Sequence, residues 1–328
     1  MIAVTGGNGQ LGSFLIRKLI DTGESFVALR RSGSNVSLLD DVSDKIAWRD
    51  ADIMDPVSLR KALHGITKVI HTAATVSFNP RLAHQVMDIN IIGTRNIVNI
   101  CLDIGVDRLV HVSSVAALGR QKGQQHIDET NKWIDTPFNN VYAKSKHLAE
   151  LEVFRGLEEG LSAVIINPSL ILAGANWDVS SARLFKYAWD EKPFYMDGFV
   201  NFVDVNDVSE IIYSLLHDDV RGERYIASSG KISYKDLLTK MALYFNKKPP
   251  SVKLTQAVLK PAAVIEGFRS WVTGGEPLIT RETARLAGSE FVFENTKIRN
   301  KLNFQFQPID ETLKRCCRYY TERMNDKK

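Results

Sequence analysis

A doubly wound α/β fold, a parallel sheet covered by helices on both faces, is the fold class this sequence predicts. Three observations predict it. The first half alternates short apolar runs with amphipathic helical stretches. The runs are apolar throughout rather than every second residue, as strands buried on both faces must be. A glycine-rich turn also lies between the first run and the first helix. Right-handed crossovers between parallel strands then place helices on both faces.

The elements follow in order. "MIAVT" reads as a strand, "QLGSFLIRKLIDTG" as a helix closed by Gly23, and "SFVALR" as a strand. "KIAWRDAD" is a strand, "DPVSLRKALHG" a helix with Pro56 at its start, and "KVIHTAA" a strand. A long helix, roughly 81–104, precedes the strand "RLVHVSS". A helix beginning near Tyr142 comes next, then the strand "SAVIINPS". After about residue 170 the alternation breaks down. Residues 173–200 are loop-rich, with "DEKPFYMDG" as turn chemistry. "FVDVNDVSEIIYSLL" reads as a strand then a helix, and "ERYIAS" as a strand. From 231 the chain reads as mostly helical, broken by "KKPPS" at 247–251. The expected division is a Rossmann domain over 1–170, rejoined by 200–227. A smaller, mostly helical substrate lobe takes 171–199 and 228–328.

Composition narrows the function. The 328 residues are 44% hydrophobic and 24% charged, ordinary for a folded protein. Net charge is +4, from 42 basic and 38 acidic residues, too balanced to argue for nucleic acid or an anionic membrane. Three cysteines, two of them adjacent, make neither a disulfide framework nor a metal spacing. The seven histidines show no zinc-type pairing, so no metal site is expected. No apolar run reaches the ~18 residues of a membrane span, and no signal peptide is legible. A cytoplasmic location is expected.

"VTGGNGQLG" carries the first functional signal. Gly6, Gly9 and Gly12 form G-x-x-G-x-x-G between a strand and a helix, with Asn8, Gln10 and Leu11 between them. Such a turn brings backbone N–H groups and a helix N-terminus to a pyrophosphate. At the end of the second strand, an acid would bind a free ribose 2′-hydroxyl. Arg30 and Arg31 stand there instead, and guanidinium suits a 2′-phosphate. NADP is therefore expected, with NAD as the alternative. In "DADIMD", Asp52 is placed to accept from the adenine amino group, with Ile53 against the ring. Helix capping is an equal reading of that stretch.

The chain resembles the extended short-chain dehydrogenase/reductases, the NAD-dependent epimerase/dehydratase family. It is most similar in style to the dihydroflavonol reductase and 3β-hydroxysteroid dehydrogenase branch. "TGGNGQLG", "DADIMD", "HTAA", "NIIGTRNIV", "VHVSSVAALG", "YAKSK", "NPSLILAG" and "FVDVNDV" occur in the family's order and cover most of residues 1–230. The resemblance implies that Tyr142 and Lys146 are the Y-x-x-x-K pair and Ser114 the catalytic serine, with Ser113 beside the cofactor. It implies that Ala73 and Ala74 line the cofactor and that Asn90 faces it from the long helix. Asn167, Pro168 and Ser169 would pass near the nicotinamide. A homodimer through the helices at 81–104 and 140–158 is a further implication.

The residues supply their own chemistry. Tyr142 and Lys146 are four apart on one helix and share a face. Bringing a tyrosine from a pKa of about 10 to about 7 takes about 4 kcal/mol. An ammonium about 4 Å away, at an effective dielectric of about 20, supplies roughly that much. The expectation is a phenol made acidic by Lys146, giving its proton as a hydride reaches a carbonyl carbon, with Ser114 on the substrate oxygen. Each residue also has a plainer reading: a packing aromatic, a solvated lysine, a turn serine.

Two departures from the family's pattern favour simple carbonyl reduction or alcohol oxidation. After the serine stands "VAA", with no acid to eliminate water. Arg30 and Leu118 stand where sugar epimerases have an acid and a tyrosine. The expected function is an NADP(H)-dependent ketone or aldehyde reductase. Sugar epimerisation, steroid-type alcohol oxidation and a non-catalytic nucleotide-binding scaffold are the alternatives. The substrate pocket is expected from Thr75, Phe78 and Val115, and from an aromatic stretch holding Trp177, Phe185, Tyr187, Trp189, Phe194 and Tyr195. Aromatics at such spacing also suit a core. The helix pattern over 256–272, amphipathic around Pro261, reads as a lid or packing helix.

Overall fold

A computed structural model describes residues 1–121, 123–136, 139–177, 180–255 and 291–325. The chain begins with β1 (Ile2–Thr5), α1 (Gln10–Asp21), β2 (Phe26–Arg30), β3 (Trp48–Asp50), α2 (Pro56–Ala62) and β4 (Lys68–His71). It continues with α3 (Ala83–Asp103), β5 (Arg108–Val112), a short β6 (His126–Ile127), α4 (Val141–Glu158) and β7 (Ala163–Pro168). The later part holds β8 (Leu170–Leu172), α5 (Arg183–Trp189), β9 (Phe194–Met196), β10 (Phe199–Asp204) and α6 (Val205–Leu216). Then come β11 (Arg224–Ala227), β12 (Gly230–Ser233), α7 (Tyr234–Tyr244), β13 (Val252–Leu254) and β14 (Val292–Phe293). Helices Thr296–Leu302 and Ile309–Asn325 follow.

Seven parallel strands lie in the order β3-β2-β1-β4-β5-β7-β11. Val4 of β1 is in register with Ala28 on one side and Ile70 on the other. The strand order reverses between β1 and β4, and a crevice opens there at the carboxyl ends of the strands. Every residue of β1, β5 and β7 is buried. The reason is visible on each face. Leu15 and Leu19 of α1 and Val208, Ile211 and Leu215 of α6 pack on Val4, Ile70, Val110 and Val164. Leu59, Ile97, Val98 and Val153, from α2, α3 and α4, cover Ala3, Val69, Leu109 and Ile165. Each fully buried leucine or isoleucine contributes about 1.5–3 kcal/mol.

Local chemistry sets the helix starts. Asp55 accepts from Val57 N at 3.0 Å, with Pro56 in the first turn of α2. Asn140 accepts from Ala143 N at 2.7 Å and fixes the start of α4 one residue before Tyr142.

The later chain departs from a simple continuation of the sheet. β11 joins the main sheet and α6 covers it, but β10 pairs with β8 and β12 in a separate three-stranded sheet. Two small pairs, β9 with β13 and β6 with β14, add to this region. Its core gathers Phe185, Leu237, Met241, Leu313, Cys316 and Tyr320. Trp177 stacks on Tyr320 with ring centroids 5.2 Å apart, and Trp189 meets Phe245 edge-on at 5.2 Å. Trp177, Phe185, Tyr187, Trp189 and Tyr195 therefore belong to this core, the packing reading of the aromatic stretch. All three cysteines are buried and free. The helix pattern at 256–272 lies outside the described residues. No described helix is long and apolar enough to cross a membrane. No metal-binding group of His, Cys, Asp or Glu occurs among the described residues.

Candidate active site

The glycine turn joins β1 to α1. Gly6 has φ +67°, and a Cβ there would lie 2.9 Å from the Ala73 backbone, so β1 and the turn after β4 touch. A Cβ on Gly12 would come within 2.1 Å of Gly6 O; only glycine lets α1 start this close to the strand. Gly9 N donates back to Gly6 O at 2.9 Å. No side chain caps α1. Its first N–H groups thus stay open to an anion, and the helix dipole favours one. Asn8 donates to Asn35 O at 3.1 Å, and Gln10 reaches Ile171 O at 3.4 Å. Leu11 is buried in the core below.

A cleft of about 610 Å³ opens past the ends of β2 and β3, lined by Arg31, Ser32, Ser34, Asp50, Asp52 and Ser58 among others. The two arginines part here. Arg30 Nε donates to Asp50 at 3.2 Å, and its guanidinium lies 5.1 Å from the Trp48 ring centre. Its charge is already matched. Arg31 is exposed and lines the cleft. Asp52 accepts from Met54 N at 2.9 Å, an Asx-type local bond, while still facing the cleft. Ile53 packs on α3, where a Cβ at Gly93 would come 2.5 Å from its Cδ1.

At the other end of the crevice, Tyr142 is half-buried in the first turn of α4. The Phe78 ring meets it edge-on, with centroids 6.2 Å apart. Ser114 caps a short 3₁₀ turn, accepting from Ala116 N at 3.1 Å. Val115 lies on that turn, over the small cluster around Leu118 and Ile127. Lys146 is 3% exposed and donates to Val112 O at 2.7 Å. Burial pulls its pKa down to about 8, against the raising influence of Glu150. Burial raises the phenol's pKa, and a hydrogen bond with the Ser114 side chain acts the other way. The Lys146 ammonium is turned to the end of β5.

Two residues expected near the cofactor hydrogen-bond within the protein. Asn90 is buried. It accepts from Thr75 N at 2.8 Å and donates to Thr75 O at 3.0 Å and Ser145 Oγ at 2.9 Å. It clasps the loop of Ala73, Ala74 and Thr75 to α3 and α4. The Asn167 side chain is fully buried under the strand ends; its amide donates to Ser114 O at 3.0 Å and Glu150 Oε1 at 2.5 Å. It supports the serine turn from below. Pro168 ends β7; the Ser169 hydroxyl is buried without a partner among the described residues, and the buried Ser113 hydroxyl lies against the Glu150 carboxylate.

Glu150 was missed in the sequence. It is 1% exposed and ion-paired with Arg224 of β11 at 3.3 Å. Its signal was present: Tyr142, Lys146 and Glu150 recur at i, i+4 and i+8 on one helix face. Arg224 gave none.

Comparison with known proteins follows the same lines. Residues 2–227 match the NAD dependent epimerase/dehydratase family. The sterol demethylase protein B of Methylococcus capsulatus is 31% identical over 232 residues, 69% of this chain and 68% of that protein. A putative dihydroflavonol 4-reductase of Synechocystis is 26% identical over 318 residues, 94% of this chain and 91% of its own. The crystal structure of gox2253 has a TM-score of 0.84 at 30% identity, over 98% of each chain.

Proposed function

Because this chain belongs to the NAD-dependent epimerase/dehydratase family and is an NAD(P)-dependent enzyme of oxidoreductase type, we propose that it is an NADP(H)-dependent carbonyl reductase. Its substrate is a ketone or aldehyde carried on a flat, apolar ring system. One observation carries the reading. Tyr142, with its phenol held neutral, stands between the Phe78 ring and the Ser114 turn at the carboxyl end of β5.

The dinucleotide fits the residues present. The uncapped start of α1 suits its pyrophosphate, and the exposed Arg31 suits a 2′-phosphate. When bound, the reduced nicotinamide supplies a hydride to the carbonyl carbon. Tyr142 gives its proton to the carbonyl oxygen, and the Ser114 hydroxyl orients that oxygen. A lysine ammonium has three donors. Lys146 spends one on Val112 O, leaving two for the hydroxyls of the nicotinamide ribose. Phe78 is 43% exposed and Val76 45%, an apolar wall beside the phenol. The names of the two relatives, a sterol protein and a dihydroflavonol reductase, accord with a ring substrate.

The test is NADPH oxidation with a panel of aryl and polycyclic ketones and aldehydes, against nucleotide sugars. Consumption of NADPH with the carbonyl panel is expected. Conversion of nucleotide sugars with no net cofactor oxidation would overturn the proposal.

A further inference from the structure

Behind the pair Tyr142 and Lys146, the same face of α4 carries a third ionisable group. Glu150 is one turn beyond Lys146 and 1% exposed. Its carboxylate touches Ser113, just past β5, and two groups from two further strands. Asn167 of β7 donates to Oε1 at 2.5 Å. Arg224 of β11 donates to Oε2 at 3.3 Å. The same Asn167 amide donates to the backbone oxygen of Ser114 at 3.0 Å. Arg224 is anchored in turn, through Nε to Glu129 O at 2.8 Å and Nη2 to Asn131 O at 2.9 Å.

An isolated carboxylate is costly to bury, and so is an isolated ammonium. No carboxylate among the described residues forms an ion pair with Lys146; its ammonium donates to the backbone oxygen of Val112. A lysine buried in that way loses its proton easily. A neutral amine would be a poor partner for ribose hydroxyls. Glu150 is the acidic group placed to oppose this, and His71 and His111 face the same ammonium. Burial raises the Glu150 carboxyl pKa, and Ser113, Arg224, Asn167 and Lys146 act against that rise.

We infer that Glu150 is a positioning residue of the active site: it holds Lys146 protonated through space and, through Asn167, fixes the turn that presents Ser114. The inference rests on the proposed roles of Tyr142, Lys146 and Ser114. Glu150 itself meets neither substrate nor cofactor. A merely structural ion pair between Glu150 and Arg224 would stabilise the fold and leave the titration of Lys146 untouched. That difference is measurable.

The experiment follows the ¹³Cε resonance of Lys146 with pH in the full-length protein. The resonance is assigned by its loss in Lys146→Arg. In Glu150→Gln the proton affinity of Lys146 falls by about tenfold, the order expected for removing one nearby charge. Glu150→Asp keeps the charge and stays within about threefold of wild type. An unchanged titration in Glu150→Gln overturns the inference. So does a Glu150→Asp protein displaced tenfold, and that variant decides the matter if Glu150→Gln does not fold. The titration needs no substrate. A Tyr142→Phe protein with undiminished turnover would sink the catalytic reading and leave the Lys146 result to stand by itself.

Discussion

At the adenosine end of the crevice the charged groups stand in solvent, whereas at the Tyr142 end they are sealed inside the protein. Arg31 is exposed on a loop, and its neighbour Arg30 is paired with a half-open Asp50. Lys146 and Glu150 are almost wholly buried, each tied to a strand that has travelled from elsewhere in the chain. The difference teaches where binding and chemistry draw their strength. An exposed cation adds affinity and is screened by salt. A buried one keeps its influence on a neighbour's proton, but only while the surrounding fold supports it.

The comparison breaks most visibly at Tyr142. Tyr142→Phe removes the proton donor and is expected to lower kcat by about 10²–10⁴-fold. NADPH affinity, measured by fluorescence titration, stays within about twofold. A comparable loss in both would place Tyr142 in binding rather than chemistry. Gly12→Ala comes next. Its Cβ would fall 2.1 Å from Gly6 O, a backbone atom that cannot swing away. A cost on the order of 3 kcal/mol is expected, seen as a lower urea midpoint together with lost dinucleotide binding. Unchanged midpoint and binding would show that α1 can stand off from β1.

Arg31→Ala sharpens the exposed end. A charge-assisted hydrogen bond to a phosphate is worth about 1.5–3 kcal/mol. NADPH should bind about 10–100-fold more weakly, with NADH little affected, and Arg30→Ala should do much less. Equal losses for both cofactors would remove the 2′-phosphate from the account.

The smallest effect is a slope. His71 is buried between Thr5 Oγ1 at 2.7 Å and Thr94 Oγ1 at 3.2 Å, and its ring lies 5.2 Å from that of His111. Burial, with Lys146 adding to it, pulls the His71 pKa down to about 3. The unfolded chain takes up this proton near pH 6.5 and the native state does not. Stability from this group is complete above about 6.5 and drains away as pH falls towards about 3. The slope is up to about 1.4 kcal/mol per pH unit for each such histidine. Urea midpoints at pH 7 and pH 5 measure it, and His71→Gln should make the decline shallower. A slope that the substitution leaves unchanged would mean that His71 is already charged in the native protein.

The legible part of the site is its local part. The glycine turn, the Asp55-Pro56 start of α2 and the placement of Tyr142 and Lys146 one turn apart on α4 all rest on a few residues, so spacing reports them. The orientation of Lys146 was not legible, because it depends on Val112 O, 34 residues earlier in the chain. Nor was the commitment of Asn90 to Thr75 and Ser145, or the engagement of Arg30 by Asp50 and Trp48 of β3.

By itself the sequence determined the alternation of strands and helices, hence the parallel sheet, and the glycine turn between β1 and α1. Those are properties of period and of short-range sterics. Tertiary structure alone decided that β10 leaves the main sheet, that Trp177 and Trp189 pack into a core, and that Arg224 finds Glu150. These are contacts between residues far apart in the chain. Their partners are chosen by burial and by the pairing that burial demands of charge, and neither has a spacing to read.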